Sequence, residues 1–182
     1  MPGKYRTKEI LSLLNARGIT YHYQTHGAVH TMDDVDNAGV IREGVVLKNL
    51  FLKDGKGKKH FLVCVPETKY TDFKEIGEQV GAKKLGLASE ERLEKYLGVE
   101  QGCVSPFGVL NDLEKSVAVV MDGTLRDDMI IGVHPNETTA SIWLKYGDMK
   151  KIIIQNGSTL HLLEFTEREP PIYLDFCSTI VL

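Results

Sequence analysis

The chain has 182 residues, a size that suits one hydrophobic core rather than several. Hydrophobic residues make up 42% and charged residues 26%, which excludes a disordered or low-complexity polymer. The net charge of −3 means that bulk attraction does not hold a polyanion; a nucleic acid would need a local basic patch and a specific end-group.

Residues 5–18 are predicted as a helix: Ile10, Leu11 and Leu14 share one face, and Gly18 is a natural stop. Tyr21–Thr25 reads as a short strand. Residues 31–38 read as a second helix, with Thr31 as cap and Asp33 and Asp34 at the positive end of its dipole. Residues 45–52 and 60–65 read as strands on either side of a polar, glycine-rich turn, which is a hairpin signal. Two helices follow. Phe73, Ile76 and Val80 line the first, capped by Thr71 or Asp72, and Leu93, Tyr96 and Leu97 line the second, which begins after Ser89. Strands are expected over 117–121, 129–133 and 139–144. Asp148 then opens a helix carrying Met149, Ile152 and Ile153, and 159–163 forms a last strand. Strands outnumber helices, and several follow one another without a crossover helix. The expected class is therefore α+β with a mixed or antiparallel sheet. Residues 1–165 are expected to form one domain and 166–182, with Pro170-Pro171 and no periodicity, a tail that packs on the body, mediates an interface or moves.

Several chemistries find no support. The longest apolar runs, such as Val45-Val46-Leu47, fall far short of the ~20 residues of a membrane span. The first residues, MPGKYRTKE, carry no apolar stretch behind their basic ones, so no secretory signal is expected and a cytoplasmic location is the default. Cys64, Cys103 and Cys177 are odd in number, far apart and outside any CxxC pair, which argues against a disulfide framework or a zinc site. His22, His26 and His30 have helical spacing, but 21–23 reads as strand and no carboxylate or cysteine completes a set; no metal is expected. The Gly55-Lys56-Gly57-Lys58-Lys59 run has the wrong spacing for a phosphate loop, and no GxGxxG or GxSxG occurs.

Three segments stand out instead. Lys48-Asn49-Leu50-Phe51-Leu52 puts a lysine inside an apolar strand, where its ammonium either snorkels to water or meets a partner. Gly102-Cys103-Val104-Ser105-Pro106-Phe107-Gly108 is a stiff loop, either a structural turn or a frame that presents backbone N–H groups. His134-Pro135-Asn136-Glu137-Thr138-Thr139 closes a strand with several hydrogen-bonding groups and reads equally as a capped turn or as part of a site.

In this order and spacing, with Asn111-Asp112, Asp72, Lys74, Lys83-Lys84-Leu85 and Ala88-Ser89 between and around them, the segments resemble the YbaK/ProX aminoacyl-tRNA deacylases. The resemblance covers about residues 5–165 and is nearest to the ProX/PrdX type. It implies a mixed β-barrel-like central sheet surrounded by helices. It also implies a hydrolase that clears mischarged tRNA without a cofactor, most naturally alanyl-tRNA(Pro), with cysteinyl-tRNA(Pro) as the alternative. By the same resemblance Lys48 and His134 are the catalytic candidates. Asn49, Gly102, Ser105, Pro106, Phe107, Gly108, Asn136 and Thr139 would bind the substrate. The partner would be the acceptor end of tRNA(Pro), with prolyl-tRNA synthetase a second candidate. Lys56, Lys58 and Lys59, or Lys83 and Lys84, are candidate phosphate contacts. Cys103 as a nucleophile would need a cationic or basic neighbour. A non-catalytic tRNA- or synthetase-binding module and an amino-acid sensor are the competing readings.

Overall fold

The computed structural model describes residues 4–27 and 43–167. Helix α1 (Thr7–Ala16) buries Ile10 and Leu14 and is followed by strand β1 (Tyr21–Thr25). The helix expected over 31–38 lies outside the described residues. Strands β2 (Val45–Lys53) and β3 (His60–Pro66) form the expected antiparallel hairpin, with Lys48 opposite Val65 and Asn49 opposite Cys64. Helix α2 (Phe73–Gln79) starts where Asp72 accepts from the backbone N–H of Lys74 and Glu75, so Asp72 is the cap. A two-residue strand β4 (Gly86–Leu87) pairs with the end of β2.

Helix α3 (Glu90–Arg92) runs on as a π-helical turn (Leu93–Leu97), and Pro106–Asn111 forms a 3₁₀ helix. Strands β5 (Val117–Asp122), β6 (Ile130–Val133) and β7 (Ala140–Lys145) follow, then helix α4 (Tyr146–Gln155) and strand β8 (Leu160–Leu163). Helix α4 begins two residues before Asp148. The N–H groups of Tyr146 and Gly147 there are taken by the carbonyls of Met129 and Asp127, partners remote in sequence.

The strand order is β1-β7-β6-β2-β3-β5-β8, with β4 on β2. The β6–β2, β3–β5 and β5–β8 pairs are parallel and the others antiparallel, so the sheet is mixed. Side-chain alternation explains why β3 is buried along its whole length. Leu62 and Cys64 enter a large core with Phe51, Val119, Met121, Ile131, Ile142 and Phe107. Phe61, Val63 and Val65 face the other way, into a smaller core with Ile76 of α2 and Val120. Strands β2, β3, β5, β6 and β7 all contribute to the large core, and the class is the expected α+β with a mixed sheet.

Beyond β8, Thr166 accepts from the Tyr70 N–H at 2.8 Å, and Glu167 forms a β-bridge with Lys69. The first residues of the expected tail thus pack on the body; 168–182 lie outside the described residues. Among the described residues no helix is long and apolar enough to cross a membrane.

Candidate active site

A cleft of about 330 Å³ opens beside β2, a volume at the small end for sites that hold a small ligand. Lys48 and Asn49 reach it from β2, and Gly102 and Val104 from the loop before the 3₁₀ helix. His134 closes it from the end of β6, and Leu87, Glu90 and Leu93 form a further wall. The segments carrying Lys48, Gly102 and His134 are far apart in sequence, and the fold brings them together. They meet because β2 pairs with β6 through Val45–Ile131 and Val46–Gly132, which sets His134 beside the strand that carries Lys48.

The ammonium of Lys48 donates to the backbone carbonyl of Lys69. That contact answers how a charge survives in an apolar strand: the head group meets a backbone carbonyl rather than being left unpaired in the core. The amide oxygen of Asn49 is buried and has no hydrogen-bond partner among the described residues. Such an acceptor costs about 1–3 kcal/mol unless something in the cleft donates to it.

His134 Nδ1 lies 3.2 Å from the carbonyl oxygen of Ala140. A carbonyl only accepts, so Nδ1 carries the proton and Nε2 is an acceptor, a tautomer inferred from the partner. Burial lowers the His134 pKa below the usual 6.5 and the Ala140 carbonyl partly opposes this; the ring is neutral at physiological pH.

The remaining sequence candidates fall behind the cleft wall. Ser105, Pro106, Phe107 and Gly108 are buried at the start of the 3₁₀ helix. Ser105 Oγ accepts from the Phe107 N–H at 3.1 Å, and Gly108 donates its N–H to the Ser105 carbonyl at 2.9 Å. These amides are therefore spent within the loop, and of the predicted frame Gly102 and Val104 line the cleft. Asn136 is fully buried in a left-handed conformation, φ 61°. Its Oδ1 accepts from Ser105 Oγ at 3.1 Å, and its Nδ2 donates to the Tyr5 carbonyl at 2.9 Å. One side chain thus ties the His134 loop to the glycine-proline loop and to the approach of α1. Thr139 is exposed, and its carbonyl accepts from the His26 N–H.

The alternative chemistries find little footing. Cys103 is half-buried, and its thiol is pushed up first by burial and then by Glu100, so it stays protonated. Cys64 is fully buried with its thiol raised as well, and Cys177 lies outside the described residues. His22 pairs with Glu43 and His26 Nε2 with Ser141 Oγ, while His30 is not among the described residues. No group of three or more His, Cys, Asp or Glu side chains suited to a metal occurs among the described residues.

Two features escape a reading of the sequence. The Lys69 carbonyl is a backbone group, and no side-chain pattern announces it. His60 accepts a hydrogen bond from Arg92 Nη1 at 2.6 Å, stacks on Phe51, which lines the cleft, and meets Tyr96 at a tilt. Burial, reinforced by the Arg92 charge, lowers its pKa.

A pH dependence follows from the two histidines. Their folded pKa values lie below 6.5, so the unfolded chain takes up protons first as pH falls. The stability they contribute is complete above about pH 6.5 and is lost as pH drops through the folded values. Thermal melts should hold steady from about pH 8 to about pH 7 and move down below about pH 6. An unchanged midpoint at about pH 5 would contradict the neutral assignment.

The chain matches the aminoacyl-tRNA editing domain family over residues 26–152. It is 38% identical over 155 residues to the prolyl-tRNA editing protein ProX of Acetoanaerobium sticklandii, covering 85% of this chain and 94% of the relative. It is 33% identical to prolyl-tRNA synthetase associated domain-containing protein 1 of Danio rerio, covering 87% of this chain and 86% of that one. A solved structure described as a candidate trans-editing enzyme for prolyl tRNA synthetase superposes with a TM-score of 0.63 at 17% identity, covering 88% and 96% of the two chains, a likeness of fold. This match over most of the chain, with a mixed sheet of the same fold, places the protein in the aminoacyl-tRNA editing domain family, as an aminoacyl-tRNA deacylase.

Proposed function

We propose that the protein is a cytoplasmic trans-editing hydrolase that removes alanine from proline tRNA by attack of water on the aminoacyl ester. The observation that carries this reading is the meeting in one small cleft of a cation, an acceptor lacking a donor and a neutral histidine: Lys48, Asn49 and His134. An aminoacyl ester is already activated, so no covalent intermediate is required; water must be placed and the developing oxyanion stabilised. The Lys48 ammonium supplies positive charge to that oxygen. Asn49 is polar lining beside it. His134 Nε2 accepts from a hydroxyl of the terminal ribose and orients it. Gly102 lets the backbone approach the ester, at φ 86°, a conformation that favours glycine. Ser105, Pro106, Phe107, Gly108 and Asn136 shape this wall from behind, and Thr139 belongs to the loop that carries His134.

Selectivity rests on size. In this reading the apolar residues Leu47, Leu50, Phe51 and Leu93 of the cleft pack around the methyl side chain of alanine, and the bulkier proline ring is rejected by its size. Such a clash discriminates more strongly than one missing methylene, worth about 1–3 kcal/mol. The acceptor end of the tRNA extends from the cleft, and Lys56, Lys58, Lys59, Lys83 and Lys84, which line a second groove, contact its phosphates. Residues 1–165 form the editing domain in this reading.

Binding is testable apart from turnover. A non-hydrolysable 3′-amide analogue of alanyl-adenosine should shift the backbone NMR signals of Lys48, Asn49, Gly102, Val104 and His134. Shifts confined to the lysine groove, with these five unmoved, would contradict the assignment of the cleft.

A further inference from the structure

The residues that hold Lys48 are themselves held by the segment that leaves the sheet after β8. Lys69 lies on the turn after β3. Its N–H donates to the Pro66 carbonyl at 3.0 Å, and the N–H of nearby Glu67 donates to the Val46 carbonyl of β2 at 3.0 Å. Its carbonyl accepts the Lys48 ammonium. Its side chain runs towards the chain's far end: Nζ lies 2.7 Å from Glu167 Oε1, donates to the Phe165 carbonyl at 3.1 Å and stands 3.7 Å from Asp122 Oδ2.

Asp122 is fully buried, and its Oδ1 is occupied by the N–H and hydroxyl of Thr124. Its Oδ2 has no hydrogen bond among the described residues, and Lys69 supplies the opposing charge. The Lys69 side chain is only 12% exposed. The β-bridge between Lys69 and Glu167, with the Tyr70 N–H on the Thr166 carbonyl, closes the arrangement.

A lysine ammonium sits on a flexible stem and retains much rotamer freedom unless a partner fixes it. A catalytic group misplaced by about 1 Å can cost on the order of 100-fold in rate. A partner that holds Lys48 is a carbonyl on a turn, and that turn is pinned by an ion pair, a β-bridge and hydrogen bonds from residues 165–167. We infer that Lys69 and Glu167 are positioning residues for Lys48, so that the segment after β8 sets the geometry of the cleft. This inference rests on the reading of Lys48 as a catalytic residue.

Glu167 is the place to test it, because its side chain is 64% exposed and its removal does not threaten the core. In the full chain, Glu167→Ala should lower kcat for deacylation of alanyl-tRNA(Pro) about 5- to 10-fold while KM stays within about 2-fold, the signature of lost positioning rather than lost binding. In a Lys48→Ala background the same change should have no further effect, since the two act on one step. The Lys48 side-chain NMR signals should shift in Glu167→Ala whatever the activity. An equal fall in both backgrounds would mark Glu167 as merely structural and overturn the proposal. Unshifted Lys48 signals, or an unchanged kcat while Lys48→Ala is crippled, would also overturn it and leave Lys48 in place. Full activity of Lys48→Ala would instead remove the reading beneath it, and the Lys48 signals alone would then decide whether the coupling exists.

Discussion

Lys48→Ala is expected to lower the deacylation rate about 100- to 1000-fold, the loss seen when one group that stabilises an oxyanion is removed, or roughly 2.7–4 kcal/mol of barrier. The fold should tolerate the change. Lys48 is half-buried and lines the cleft, its neighbours Leu47 and Phe51 supply the core packing, and removing its head group releases the backbone carbonyl of Lys69. The expected result is thus a chain that melts within a few degrees of the parent and binds the alanyl-adenosine amide, but turns over poorly. Lys48→Arg should recover little, because a planar guanidinium does not substitute for a compact ammonium at a fixed point. Loss of folding together with activity would assign Lys48 to the scaffold instead. Rates are read under single-turnover conditions, so that tRNA release does not mask the chemical step.

Asn136→Ala is expected to destabilise the protein by about 3 kcal/mol. Two buried hydrogen bonds are lost, each costing about 1–3 kcal/mol when its partner is stranded. An alanine must also adopt the left-handed conformation at φ 61°, which asparagine tolerates better. For a chain of this size a change of that order lowers the melting midpoint by about 6–12 °C. Ser105 and the Tyr5 carbonyl would lose their common partner, so the Gly102 and His134 loops should loosen together. A normal melting temperature with weakened substrate binding would show that Asn136 serves the ligand directly and that the buried bonds contribute little.

Strand β3 was legible as a short unbroken apolar run next to a turn signal. Phe61, Val63 and Val65 and, on the other face, Leu62 and Cys64 are divided between two cores, while the polar turn between β2 and β3 marks the hairpin. The start of α2 was legible in Asp72, a side chain that can itself cap the helix. The start of α4 was not, because its first amides are satisfied by the Met129 and Asp127 carbonyls, which only the folded chain brings near. Strand β4 is two residues long, too short for any periodicity to register. The π-helical turn at Leu93–Leu97 departs from the regular period on which the expected helix was drawn.

At the site, the sequence exposed the charged and ring-bearing groups that now share the cleft, Lys48 and His134, and the flexible Gly102. It did not separate a loop that turns its amides to a ligand from one that turns them inward. Glycine and proline stiffen both kinds, and the difference lies in the burial of Ser105 and its bond to Asn136. Lys69 escaped for a similar reason: its contribution to Lys48 is a carbonyl, common to every residue.

The most direct test is the hydrolysis of alanyl-tRNA(Pro) by the purified chain, beside cysteinyl- and seryl-tRNA(Pro) and with prolyl-tRNA(Pro) as the control. The proposed function predicts rapid loss of alanine, with the prolyl ester left intact. Rapid loss of cysteine instead would keep the editing chemistry and redraw the pocket. Stable esters in all four reactions would contradict the assignment of this cleft as a deacylase site.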